Sequence, residues 1–133
     1  MIDTATWTVV GVMEGHTDQI NQLVVWEGKL ISCSYDNTIR VWITEGECEC
    51  QQTLQGHTRG VTRMAVIGDK LVTGSDDQTL RAWGMRRGAG EWECERVLDD
   101  HTDGVSALTC TRDGRRLLSC AGQTMLVWEE EAP

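Results

Sequence analysis

Two sets of side chains in this sequence hold the groups that cleave esters or amides. His16 is followed by Ser32 and Asp36, and His57 by Thr73 and Asp77. An imidazole that takes a proton, a hydroxyl that attacks and a carboxylate that orients the ring make up a nucleophilic triad. The spacing argues against that use. Hydroxyl and carboxylate stand 16 and 20 residues after the histidine in both sets, and both sets end on tryptophan, Trp42 and Trp83. A catalytic site needs its triad once, whereas this arrangement recurs at fixed offsets, as a structural device would. A third set, His101, Ser119 and Trp128, lacks the acid: its turn reads Cys120-Ala121-Gly122-Gln123, one residue shorter.

Sulfur offers little more chemistry. The six cysteines are Cys33, Cys48, Cys50, Cys94, Cys110 and Cys120, most of them inside apolar runs. No secretion signal supports disulfides, so they read as reduced, small apolar residues. Cys48 and Cys50 would share one face of a strand, but no matching second pair completes a zinc site. No metal or cofactor is expected.

The elements that position these residues repeat too. Gly56 to Trp83 reads as a Gly-His pair, an apolar run to a turn at Gly68-Asp69, a run from Leu71 to Gly74, a polar turn at Asp76-Asp77-Gln78, and a run from Thr79 to Trp83. Three short apolar runs joined by two tight turns predict an antiparallel meander. Gly15 to Trp42 and Asp100 to Trp128 repeat it, with histidines 41 and 44 residues apart and tryptophans 41 and 45 apart. A period of about 40–45 residues with a Gly-His start and a Trp end is the signature of WD repeats. The chain therefore resembles the WD-repeat β-propeller family from Trp7 to Trp128. None of the three tryptophans precedes the Asp that names the family: Ile43, Gly84 and Glu129 stand there.

The resemblance implies an all-β fold of WD-repeat blades, with His, Ser or Thr, Asp and Trp as a hydrogen-bonded tetrad stapling each blade. The third tetrad lacks its carboxylate, so that blade should be the least rigid. Runs at Trp7–Met13, Cys48–Leu54 and Trp92–Leu98 begin nine residues before each histidine. Each predicts a fourth, outer strand, after connecting loops Thr44–Glu47 and Gly84–Glu91. The whole chain, 1–133, then reads as one WD-repeat region, with blades at 14–54, 55–98 and 99–128. The strand at 7–13 is of the clasp type, belonging to the preceding blade position. Three blades are fewer than the 4 to 8 of a closed propeller, so the ring is incomplete. Either the chain is a fragment of a larger propeller, or it is a homodimer that completes six blades. In the dimer each N-terminal strand clasps the partner's third blade, and Glu129-Glu130-Glu131 would crowd acids at that seam.

Composition narrows the partners. The chain has 133 residues, 21 acidic and 12 basic, for a net charge of −9. That balance disfavours DNA and anionic membrane, which need a basic surface. The basic clusters, Arg86-Arg87 and Arg112 to Arg116, fall in predicted loops. No apolar run approaches a membrane span. Met1-Ile2-Asp3-Thr4 shows no signal-peptide pattern, so a cytoplasmic or nuclear location is expected.

Faces follow from pattern and resemblance. Ile20, Leu23 and Val25, then Val61, Met64 and Val66, then Val105, Leu108 and Cys110 are expected in the core. The resemblance places Arg40 and Arg81 at blade edges, pairing with acids or solvated. It puts partner-binding positions two and five residues after each histidine and just before the tetrad Asp. These are Asp18, Arg59 and Asp103; Asn21, Thr62 and Ser106; and Tyr35 and Asp76. The function implied is a non-catalytic scaffold for a protein or peptide partner. Short hairpins, Trp26-Glu27-Gly28-Lys29 and Ile67-Gly68-Asp69-Lys70, resemble those of ubiquitin-ligase substrate adaptors. An enzymatic or nucleic-acid-binding propeller would need an unrepeated polar cluster or a basic aromatic stripe, and neither is present in the sequence.

Overall fold

The computed structural model describes residues 6–26, 28–44, 48–85 and 90–129. Met1–Thr4, Glu27, most of the loop ending at Glu47, Arg86-Arg87 and the acids from Glu130 onward lie outside the described residues. The first sheet runs β1 (Ile20–Trp26), β2 (Lys29–Ser34), β3 (Ile39–Ile43) and β4 (Cys50–Leu54). The second runs β5 (Val61–Ile67), β6 (Lys70–Ser75), β7 (Leu80–Met85) and β8 (Trp92–Leu98). The third has three strands, β9 (Val105–Cys110), β10 (Arg116–Ala121) and β11 (Thr124–Glu129). All neighbours pair antiparallel in chain order. This is an all-β fold of three WD-type blades without a closed ring.

Each first strand carries a bulge near its start. Register shifts fall between Ile20 and Gln22, between Val61 and Arg63, and opposite Cys120 and Ala121. The apolar residues are accordingly spaced by three and then two, because an extra residue must be absorbed before alternation resumes. The second turn of the first two meanders holds Asn37 and Gln78 at φ 76° and 74°. Asp36 and Asp77 support those turns: each carboxylate accepts from the backbone N–H two residues on, at 2.9 Å. The third meander manages with Gly122 at φ 57° and no carboxylate, since glycine alone takes that conformation without cost.

Packing between sheets builds the core in two layers. Ile31, Cys33, Ile39, Val41 and Leu54 of the first sheet meet Val61, Met64, Leu71 and Trp83 of the second. Val72 and Leu80 of the second meet Val105 and Leu117 of the third. Each sheet thus presents its first strand backwards and its second and third strands forwards.

Three expectations are corrected. Ile20, Leu23 and Val25 are 46%, 58% and 74% exposed. They lie on the backward face of the first sheet, and within this chain no sheet packs there. The segment from Trp7 to Met13 forms no strand, because a strand needs a neighbour and none is within its reach. Its Gly11 runs past Cys48, a built Cβ lying 3.4 Å from the sulfur. Arg40 and Arg81 do not pair with acids. Their Nη1 atoms donate to the sulfurs of Cys50 and Cys94, at 3.4 Å. Each guanidinium lies under the glycine that precedes a histidine: a Cβ at Gly15 or Gly56 would fall 2.8 or 2.7 Å from Nη1.

Candidate functional site

The two complete tetrads sit between the Gly-His segment and the three meander strands. His16 Nδ1 lies 2.8 Å from Asp36 Oδ2, and Nε2 lies 2.6 Å from Ser32 Oγ. The Trp42 indole N–H donates to the same Oγ at 2.8 Å. In the second sheet the distances are 2.8 Å for His57 to Asp77, 2.7 Å to Thr73 and 2.9 Å from Trp83 to Thr73. The carboxylate accepts from Nδ1–H, so Nε2 is free to accept the hydroxyl proton. That hydroxyl oxygen then accepts from the indole, and every buried group has a partner.

Electrostatics follow from that network. Burial opposes the charge on Asp36, but hydrogen bonds from Thr38, His16 and the Thr17 N–H outweigh it and bring the carboxyl down to about 2. Asp77 is lowered likewise, against burial, by Thr79 and His57. Burial holds the His57 imidazole below its ordinary value despite the Asp77 carboxylate. Attack chemistry has no path here, because Ser32 and Thr73 are 1% and 0% exposed and their oxygens are capped by indole N–H groups.

The third tetrad is truncated. His101 Nε2 meets Ser119 Oγ at 2.6 Å, and Trp128 donates to that oxygen at 2.8 Å. His101 Nδ1 is buried without a partner. Burial lowers this imidazole too, only partly countered by Asp100.

A cavity of about 260 Å³ opens where the three first strands converge. Its wall includes Asn21, Tyr35, Thr62, Asp76 and Ser106, five of the eight partner-binding positions, together with Arg63. Two members also tie sheet to sheet: Asn21 donates to the Val61 carbonyl at 2.7 Å, and Thr62 to the Val105 carbonyl. Tyr35 is 43% exposed, with its ring laid over Gly60. The remaining three positions lie outside the cavity. Asp18 and Asp103 accept from the next backbone N–H, at 2.7 and 2.8 Å. Arg59 is exposed, and its carbonyl accepts from Ser75.

Arg63 escaped sequence reasoning. Strict alternation would place it on the face of Val61, in the core. The bulge between the two turns it out, and its Nη1 donates to the Thr62 carbonyl at 2.8 Å. The spacing of three between Val61 and Met64 was the available signal.

Comparison with known proteins agrees with this geometry. The family model described as WD domain, G-beta repeat matches residues 7–42, 48–84 and 92–129. A relative from Schizosaccharomyces pombe, described as an uncharacterized WD repeat-containing protein, is 42% identical over 43 residues. That match covers 32% of this chain and 12% of the relative, so the chain spans a small part of that protein's length.

Proposed function

The chain belongs to the WD-repeat family, and we propose that it works as an interaction scaffold that docks a protein or peptide partner over the polar cavity. One observation carries this reading: three separate sheets each send a residue from the same repeat position, Asn21, Thr62 and Ser106, to one concave wall. Rigid strands hold the wall, while Tyr35, Arg63 and Asp76 supply an aromatic face and both charges, a common make-up for binding anchors. Peptides selected from a random library against the wild-type protein test it. Tyr35→Ala and Arg63→Glu should abolish capture of the selected peptides and leave the thermal midpoint unchanged. Retained capture in both variants would place the partner elsewhere.

A finer role, substrate recognition within a ubiquitin ligase, rests on the two-residue hairpin between Ile67 and Lys70. Reconstitution with a candidate ligase and a substrate bearing a selected peptide tests it. Failure of ubiquitin transfer despite peptide binding would leave the scaffold reading and remove the finer one.

A further inference from the structure

Both ends of this three-sheet array are open, and their chemistry matches. The backward face of the first sheet exposes Ile20, Leu23 and Val25, and the forward face of the third exposes Met125 and Val127. Their counterparts one repeat away form the internal joints: Val61 and Met64 on one side, Ile39 and Val41 on the other, all buried together.

Size complementarity says which blade covers which face. At the first joint the Tyr35 ring occupies the space over Gly60, where a Cβ would come 2.4 Å from Tyr35 Cδ1. At the second joint Asp76, one repeat on, does the same over Gly104, with a Cβ 2.8 Å from its carboxylate. The repeat position of Tyr35 and Asp76 is Gly122 in the third sheet. The position of Gly60 and Gly104, three residues after the histidine, is Gln19 in the first. Large against glycine at both internal joints becomes glycine against a large side chain where a third sheet meets a first sheet. Gly122 also serves its turn, but the turn makes no demand on residue 19.

Two further groups lack their repeat partners. The hydroxyl of Ser106, in register with Asn21 and Thr62, folds back to the Cys120 carbonyl of its own sheet at 3.3 Å. The next carbonyl in the inter-sheet row is that of Ile20. The outer edge of β11 is unpaired among the described residues, whereas β3 and β7 are covered by β4 and β8. Trp7 shares the register of Trp92, which is buried against Trp26 with ring centroids 4.8 Å apart. Trp7 itself is 96% exposed.

We propose that two copies of this chain close one six-bladed ring. The first sheet of each packs on the third sheet of the other, and Trp7–Met13 of each adds the fourth strand to its partner's third blade. The seam is used twice under a two-fold axis and closes, so growth stops at two. Each copy then contributes Asn21, Thr62 and Ser106 to one polar ring around the axis.

Light scattering on the full chain tests this. A single species of twice 14.8 kDa is expected. Leu23→Arg and Val127→Glu each place a charge on an apolar seam and should each give a monomer with unchanged circular dichroism. Mixing the two should restore the dimer, since one seam becomes native and the other gains an ion pair. Hydrogen exchange on the wild type decides independently of any variant: amides of Thr124–Glu129 should exchange slowly. A monomeric wild type, an open series of larger species, or fast exchange along β11 overturns the proposal.

Discussion

Replacing Thr73 by valine removes the central oxygen of the second tetrad at almost no change in shape. The Trp83 indole N–H loses its acceptor at 2.9 Å and His57 Nε2 its donor at 2.7 Å. All three side chains are buried, so water cannot replace the lost bonds. Leaving a buried polar group unsatisfied costs about 1–3 kcal/mol. Two such groups, offset by roughly 0.8 kcal/mol for the added buried methyl, give a net loss of about 2–4 kcal/mol. Urea unfolding at fixed protein concentration, followed by tryptophan fluorescence, measures it. With a slope of about 1–3 kcal/mol per molar urea, the midpoint should fall by about 1 M or more. Thr73→Ser keeps the hydroxyl and loses only the methyl, so it should cost about 1 kcal/mol. Valine equal to or more stable than serine at this position would refute the staple, because packing alone would then account for the site.

Stability should fall with pH in two windows. His57 and His101 are held below 6.5, so their contribution is whole above 6.5 and is lost as pH falls through that value toward their folded pKa. Asp36 at about 2 and Asp77, both lowered from 3.8, add a second loss as pH falls below 3.8. Urea midpoints from pH 8 to 3 check this, and a rise between pH 7 and 5 would contradict it. Gly56→Ala should destabilise by about 1–3 kcal/mol through the clash with Arg81, and by clearly less in an Arg81→Leu background. Equal costs in the two backgrounds, measured by thermal melts, would show that backbone strain at φ 155° is the whole effect.

The sequence showed the meander, its period and the tetrad members, because these obey local rules: turn chemistry at Asp76-Asp77-Gln78 and a repeat that exposes itself by recurrence. It misplaced residues whose environment depends on what lies beyond the chain's own sheets. Ile20, Leu23 and Val25 carry the same apolar pattern as Val61, Met64 and Val66, yet only the latter find a neighbour. Pattern tells which face wants burial, and topology decides whether it gets it. Trp7–Met13 follows the same rule for backbone hydrogen bonds. Arg63 was hidden by a bulge, and five of the eight surface positions converge on the cavity while Asp18, Arg59 and Asp103 stay on the outer turns.

The departures of the third repeat are ordered by contact. Gly15 and Gly56 make room for the guanidinium groups of Arg40 and Arg81, and in the third repeat both members change together, to Asp100 and Leu126. Without the guanidinium, no close approach forbids a side chain before the histidine, and Asp100 needs no positive φ. The lost turn acid leaves His101 Nδ1 orphaned, and the shortened turn brings Gly122 to the position of Tyr35 and Asp76. Each change has its match at the contacting position: Leu126 for Asp100, and Gln19 for Gly122. The first match lies within one blade. The second spans the two ends of the chain, and only contact between a third blade and a first blade gives it a physical meaning.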